Sequence, residues 1–322
     1  MTLRHMSHEP STPWDCDRAL VLVSMAALVE AQSANVIAEV RAAAAKQDFA
    51  RGERIIATHR AARGGVTPEL LEALSWLGRG ALAVGQLDKA EVYAQDTYRL
   101  ARAALDRRSV DQEPHLPIAL GAAIEVQAQV TARRGGRSEA VYYLQRQLET
   151  YGDTSLHARI QKNINLLSLE GKAGPTLDLS ESIGPKPPTL DQLKGKVVLL
   201  FFWAHWCPDC KQQGPILADL NARYGPDLLI VMPTQRYGFA AGGEPATAMA
   251  ELRYIDQIRR TFYRELAGRP APLSEANMKR YGVSTTPTLV LLDRAGIVRL
   301  YHPGRMQKEE LESVVRRALG RR

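Results

Sequence analysis

The spacing of apolar residues changes once along this chain. From about Val36 to Leu169 they recur every three or four positions among Ala, Leu, Arg, Glu and Gln, without strand-like alternation, which predicts helix throughout. The stretch GKAGPTLDLSESIGPKPPTLDQLKGK, Gly171 to Lys196, is too rich in glycine and proline for a continuous helix and marks a boundary. Beyond it the pattern becomes that of an α/β domain. KVVLLFFWA reads as a fully buried central strand, CKQQGPILADLNARYG as a helix ended by Gly225, and DLLIVM as a second buried strand. A long polar and helical stretch, Gln235 to Lys279, precedes the strands TLVLLD and GIVRLYH, joined by the turn Arg-Ala-Gly, and a last helix runs over Gln307 to Leu319. The expected organisation is a 32–170 helical domain, a 171–196 linker, and a 197–322 α/β domain with an insertion near 235–272.

Composition adds location and partners. Ala19 to Val29, ALVLVSMAALV, is too short to span a membrane but has the length of a signal-peptide core, and VEAQSA after it suits cleavage behind Ala31. Residues 1–31 are therefore expected to be a signal peptide and the mature chain periplasmic or otherwise extracytoplasmic. The acids Glu9, Asp15 and Asp17 argue for the alternative, an amphipathic helix of a cytoplasmic protein. Of the net +7 charge, +6 lies from Ala173 onward, where 21 Lys and Arg face 15 Asp and Glu. Arg316, Arg317, Arg321 and Arg322 close the last helix, where cations suit the helix dipole. Nothing resembles a nucleic-acid-binding module.

Within the helical half, Leu74, Leu77, Gly78, Gly85, Ala90 and Ala94 have the spacing of a helical repeat. The turn GQLDKAEVYA at Gly85 is echoed by GGRSEAVYYL at Gly135 and faintly by QDFARG near Gln47. This half resembles degenerate tetratricopeptide repeats, although the aromatic positions are mostly missing. The resemblance implies a concave face for a peptide or protein; a plain helical bundle is the alternative.

The chemistry centres on FFWAHWCPDCK, Phe201 to Lys211. The chain has three cysteines, Cys16, Cys207 and Cys210, so neither a disulfide framework nor a four-cysteine zinc site is available. Two cysteines at i and i+3 where a strand meets a helix can bond to each other, and the first then sits at the helix N-terminus, where free N–H groups stabilise a thiolate. Cys207 would attack a partner disulfide and Cys210 would resolve the mixed disulfide, or the reverse would oxidise a dithiol. A metal held by His205, Cys207 and Cys210 is the competing reading, and Trp206 and Pro208 fit it poorly. No metal and no cofactor is called for.

FFWAHWCPDCK resembles the active-site segment of the thioredoxin superfamily, with Pro215 at the place of its helix-kinking proline. YGVSTTPTLVLLDRAGIV resembles its second signature, a Thr-Pro pair opening a strand. With AGPTLDLSES and TLDQLKGKVVLLFFWA in front, the likeness is to TlpA-like thiol-disulfide oxidoreductases of the redoxin class and covers about Ala173 to Arg322. It implies a thioredoxin-fold domain with a central mixed sheet flanked by helices. It also implies a cis peptide before Pro287, close to the disulfide, and a substrate site that includes Trp206, Thr286 and Pro287.

The departures from the family pattern bear on proton transfer. Thioredoxin keeps a buried carboxylate where Phe201 stands, and TlpA-like proteins a glutamate where Gln213 stands. Water, Asp209 or an acid from the insertion remains as acceptor for the Cys210 proton. Asp209 should raise the pKa of Cys207, whereas the helix dipole, His205 and Lys211 should lower it, with Pro208 shaping the turn. His205 occupies a variable position, where a surface side chain is expected. The Gly242-Gly243 pair and following helix could cover the active site or pack on the helical half. The expected function is therefore a thiol-disulfide oxidoreductase acting on protein thiols or disulfides, more as reductant than oxidant, fed by a membrane electron donor. A peptide-binding clamp and a thiol peroxidase are the alternatives. The clamp does not explain two retained cysteines, and the peroxidase lacks a Thr-x-x-Cys motif.

Overall fold

The computed structural model describes residues 36–106 and 108–321; the signal-peptide expectation and Cys16 lie outside them. These residues fall into two compact units, one up to Ala123 and one from Ile124. No described helix is long and apolar enough to cross a membrane.

The first unit contains helical residues 36–45 (α1), α2 (Phe49–Ala62), α3 (Pro68–Ala83), α4 (Leu87–Leu105) and the start of α5 (His115–Arg133). Thr67 caps α3, its hydroxyl accepting the Leu70 N–H at 3.3 Å, and Pro68 follows where its missing N–H costs nothing. The small residues picked out by spacing meet where α3 crosses α4: a methyl on Gly78 would lie 3.6 Å from the Tyr93 Cβ and 3.8 Å from the Ala90 carbonyl. Ala90 and Ala94 are buried on the facing helix.

The second unit combines α6 (Arg137–Tyr151) and α7 (His157–Ser168) with the α/β fold, although the change in sequence character comes later, at Gly171. Arg159 and Lys162 of α7 pair with Glu125 at 2.9 and 3.4 Å. After α7, Glu170 accepts the Tyr301 N–H at 3.1 Å and the Tyr301 hydroxyl donates to the Tyr281 carbonyl at 2.8 Å, which fixes the helices to the sheet.

The remaining elements are β1 (Ser182–Ile183), β2 (Val197–Phe202), α8 (Pro208–Tyr224), β3 (Leu228–Val231), α9 (Ala248–Phe262), β4 (Ala271–Pro272), α10 (Glu275–Arg280), β5 (Thr288–Leu292), β6 (Val298–Pro303) and α11 (Lys308–Ala318). The main sheet has the order β3-β2-β5-β6; β2 runs parallel to β3 and antiparallel to β5, and β5 antiparallel to β6. Strand β2 is buried along its whole length because both faces are covered. Its pleat sends Val197, Leu199 and Phe201 into one core with Leu217, Ile255, Leu311 and Val315, and Val198, Leu200 and Phe202 into another with Leu169, Met278 and Tyr281. The fold is thus a helical N-terminal region followed by a thioredoxin-fold domain with a mixed four-stranded sheet. The short β1–β4 ribbon has no counterpart in the periodicity, since two-residue strands are too short to show any.

Candidate active site

Strand β2 delivers the chain to a buried turn, and α8 begins at once. Cys207 is the N-cap of α8 in extended conformation, Pro208 opens the helix, and Cys207 and Cys210 are disulfide-bonded with their Cα atoms 5.3 Å apart. The Cys207 sulfur accepts the Cys210 backbone N–H at 3.0 Å. A capping side chain ordinarily uses oxygen for this bond; here a sulfur receives it, and the same N–H is placed to stabilise a thiolate once the disulfide opens. Cys210 is wholly enclosed, while Cys207 keeps 2% of its surface, so an incoming sulfur meets Cys207 first.

The second signature arrives from the other side. The Thr286-Pro287 peptide is cis, Pro287 is buried at the start of β5, and the Thr286 carbonyl lies 3.4 Å from the Cys207 sulfur. Trp206 is 47% exposed, a large ring left at the surface beside the cysteine pair. Pro208 and Asp209 are exposed on the first turn of α8, and the Lys211 ammonium lies 4.5 Å over the Phe262 ring. The structure therefore brings both Cys210 and the Thr286 carbonyl to the Cys207 sulfur, with Trp206, Pro208, Asp209 and Pro287 adjoining them in the chain.

The two places where relatives keep an acid are both buried here. Phe201 packs edge-on against Tyr263, ring centres 5.7 Å apart. Gln213 accepts the Met306 N–H at 2.9 Å, and its amide nitrogen has no partner among the described residues.

His205 is not the surface side chain its position suggests. It is fully buried, with its Nε2 3.3 Å from a carboxylate oxygen of Glu251, which is itself 1% exposed. Tyr237, Phe239 and Tyr254 surround the imidazole edge to face, with centres 5.5, 5.1 and 5.3 Å away. Facing a carboxylate, Nε2 carries the hydrogen; Nδ1 has no partner among the described residues. Burial pushes the imidazole pKa down, outweighing the pull of Glu251, so the ring is neutral near pH 7 and brings no cation to the cysteine pair. A histidine whose folded pKa lies below its unfolded value leaves stability unaffected above about pH 6.5 and removes it as pH falls further, because the unfolded chain takes up the proton first. Replacing His205 with Phe should therefore flatten the loss of unfolding free energy as pH falls below about 6.5, measured by urea titration at each pH. An unchanged slope would show that this proton does not matter.

The insertion supplies both Glu251 and the aromatic cover. Amphipathic α9 buries Ile255 and Ile258 in the core of the sheet, capped by Thr247, whose hydroxyl accepts the Ala250 N–H at 3.3 Å. Sequence reasoning left an acid from the insertion open without naming Glu251; the available signal was the group of aromatics Tyr237, Phe239 and Tyr254. Among the described residues no group of three His, Cys, Asp or Glu side chains could hold a metal ion.

A disulfide at a helix N-terminus, facing a cis Thr-Pro peptide on a mixed sheet, defines a thiol-disulfide oxidoreductase. The chain belongs to the thioredoxin-like family: residues 191–319 match the thioredoxin-like domain, and the chain is 30% identical over 144 residues to the thioredoxin-like protein YneN of Bacillus subtilis, covering 44% of this chain and 76% of that protein. It is 26% identical over 152 residues to the thiol-disulfide oxidoreductase ResA of Bacillus thuringiensis, covering 46% and 77%. Among solved structures, it is similar to the exposed lipoprotein thioredoxin Etrx1 of Streptococcus pneumoniae, with 25% identity, 44% and 98% coverage and a TM-score of 0.34.

Proposed function

We propose that the chain reduces protein disulfides outside the cytoplasm, with Cys207 as the attacking thiol and Cys210 as the resolving one. The observation that supports this reading most is the Cys210 N–H bonded to the Cys207 sulfur at the start of α8. The Cys207 thiolate attacks one sulfur of the substrate disulfide, forming a mixed disulfide and releasing the other substrate sulfur as a thiolate that takes a proton. The Cys210 thiol gives up its proton, and its thiolate then displaces the substrate from Cys207. Two electrons pass to the substrate and the enzyme is left with the Cys207–Cys210 disulfide, which a membrane electron donor would reduce again. The substrate strand would lie against Trp206 and pair with the backbone at Thr286 before Pro287. Helices α2 to α4 would present or choose partners in the manner of a degenerate tetratricopeptide array.

Insulin reduction in the presence of dithiothreitol tests the activity: the protein should shorten the lag before the insulin B chain precipitates, and a lag equal to that of dithiothreitol alone would refute it. Direction is read in cells by trapping thiols with acid and an alkylating agent. Cys207 and Cys210 should be mostly reduced while the electron supply is intact. A mostly oxidised pair under those conditions would assign the protein to oxidation or isomerisation instead.

A further inference from the structure

The aromatic residues around His205 form one connected surface with the active site. Trp206, joined by its peptide bond to Cys207, meets the Tyr237 ring edge to face, with centres 5.6 Å apart and planes at 81°. Tyr237 in turn lies 6.2 Å from Phe239. The Tyr237 hydroxyl is buried and has no partner among the described residues, so what this ring offers outward is hydrocarbon. Trp206 is half exposed among the described residues. Edge-to-face pairs of this kind favourably accept a further ring.

Tyr237 belongs to the loop before α9, which carries only a short 3-10 turn at Ala241–Gly243 and an isolated bridge between Phe239 and Pro245, and a carboxylate holds it in place. Glu251 accepts the backbone N–H of Tyr237 and that of Gly238, the latter at 2.9 Å, while its first oxygen also receives Nε2–H of His205. Three donors from two separate segments, the active-site turn and the insertion loop, thus converge on one buried acid. The two backbone donors sit beside a nearly fully enclosed side chain, and removing their acceptor would leave them unpaired or release the loop to water. Among the described residues Glu251 is hydrogen-bonded to His205, Tyr237 and Gly238 and to no cysteine sulfur, which separates its role from proton transfer at Cys210.

The geometry points to Glu251 as a positioning residue for substrate selection: by joining His205 to the Tyr237-Gly238 backbone it sets Tyr237 against Trp206, and the paired rings receive an aromatic side chain that flanks the reacting cysteine of a protein substrate. The occupant follows from continuity with the redox pair. Whatever reacts must bring a sulfur to Cys207, and the residue next to that sulfur then falls beside Trp206. Trp206, Tyr237 and Phe239 present ring edges and faces to one another here, so an aromatic residue can extend the cluster, whereas a charged one would give up water to sit against ring hydrocarbon. This inference rests on the thiol-disulfide reading of the same site.

The test uses the full-length protein and two short peptides cyclised by a disulfide, one with Phe and one with Ser beside the first cysteine. Their reduction by the enzyme is followed with dithiothreitol as the reductant, and kcat/KM for each is measured on the parent, Glu251→Ala, Glu251→Gln and Trp206→Ala. The parent should prefer the Phe peptide by about tenfold, the upper range for one aromatic contact. Glu251→Ala and Trp206→Ala should bring the ratio close to one, while Glu251→Gln, which keeps one accepting oxygen, should retain an intermediate preference. Because each ratio is taken within one variant, a loss of folded protein that lowers both rates leaves it unchanged. Trp206→Ala, at a half-exposed position, keeps the test decisive if Glu251→Ala does not fold. A parent ratio near one, or a parent-like ratio in Trp206→Ala or in folded Glu251→Ala, overturns the inference. A parent that reduces neither peptide removes the redox reading itself, and this inference with it.

Discussion

Replacing Cys207 with Ser should reduce insulin turnover to the dithiothreitol background, while replacing Cys210 with Ser should leave the first attack intact and stall the second. The asymmetry follows from the two environments. Cys207 caps α8 and its sulfur receives a backbone N–H, which with the helix dipole favours the thiolate. A serine hydroxyl ionises far too weakly to take that role. Cys210 is enclosed one turn into the helix, where its sulfur can reach a partner already bound to Cys207. The Cys210→Ser protein should therefore collect substrates as mixed disulfides that run as higher-mass bands on non-reducing gels and vanish with reductant. Equal residual turnover in the two variants would remove the distinction between attacking and resolving thiols.

Gly282→Ala should cost at least about 2 kcal/mol of unfolding free energy, whereas Gly296→Ala should cost only about 1. Both glycines have positive φ, +62° and +78°, so both substitutions carry the left-handed penalty of an L-residue. Only at Gly282 is there a second cost, because an added methyl would sit 2.3 Å from the backbone nitrogen of Lys162 in α7; at Gly296 nothing lies within 4 Å. A backbone atom cannot step aside as a side-chain tip can, so α7 must shift from the loop after α10, disturbing the Glu170 and Tyr301 contact nearby. Urea midpoints of the two variants check this. Equal losses would mean that α7 does not press on the sheet domain as described.

Much of the α/β fold was readable because its signals are local. A continuous β-branched and aromatic run gave β2, a glycine-ended amphipathic stretch gave α8, and the Thr-Pro and Arg-Ala-Gly punctuation bracketed β5 and β6. The cysteine pair was equally plain, since i and i+3 at a strand-to-helix junction leave few chemical options. What the sequence concealed depends on distant partners. His205 and Glu251 are 46 residues apart, and neither shows in isolation that the other will bury it. The packing of α6 and α7 with the sheet was hidden in the same way: the glycine- and proline-rich stretch after Gly171 marks a change of local structure, whereas the contacts of Lys162 and Glu170 reach across it to Gly282 and Tyr301.

The attacking role of Cys207 is tested most directly by alkylating the fully reduced protein with a limiting amount of iodoacetamide and mapping the labelled peptides over time. Cys207 should be modified first and Cys210 only slowly, with the rate at Cys207 levelling off as pH rises through its thiolate transition. Faster labelling of Cys210 would contradict the assignment and place the reactive thiol inside the helix rather than at its cap.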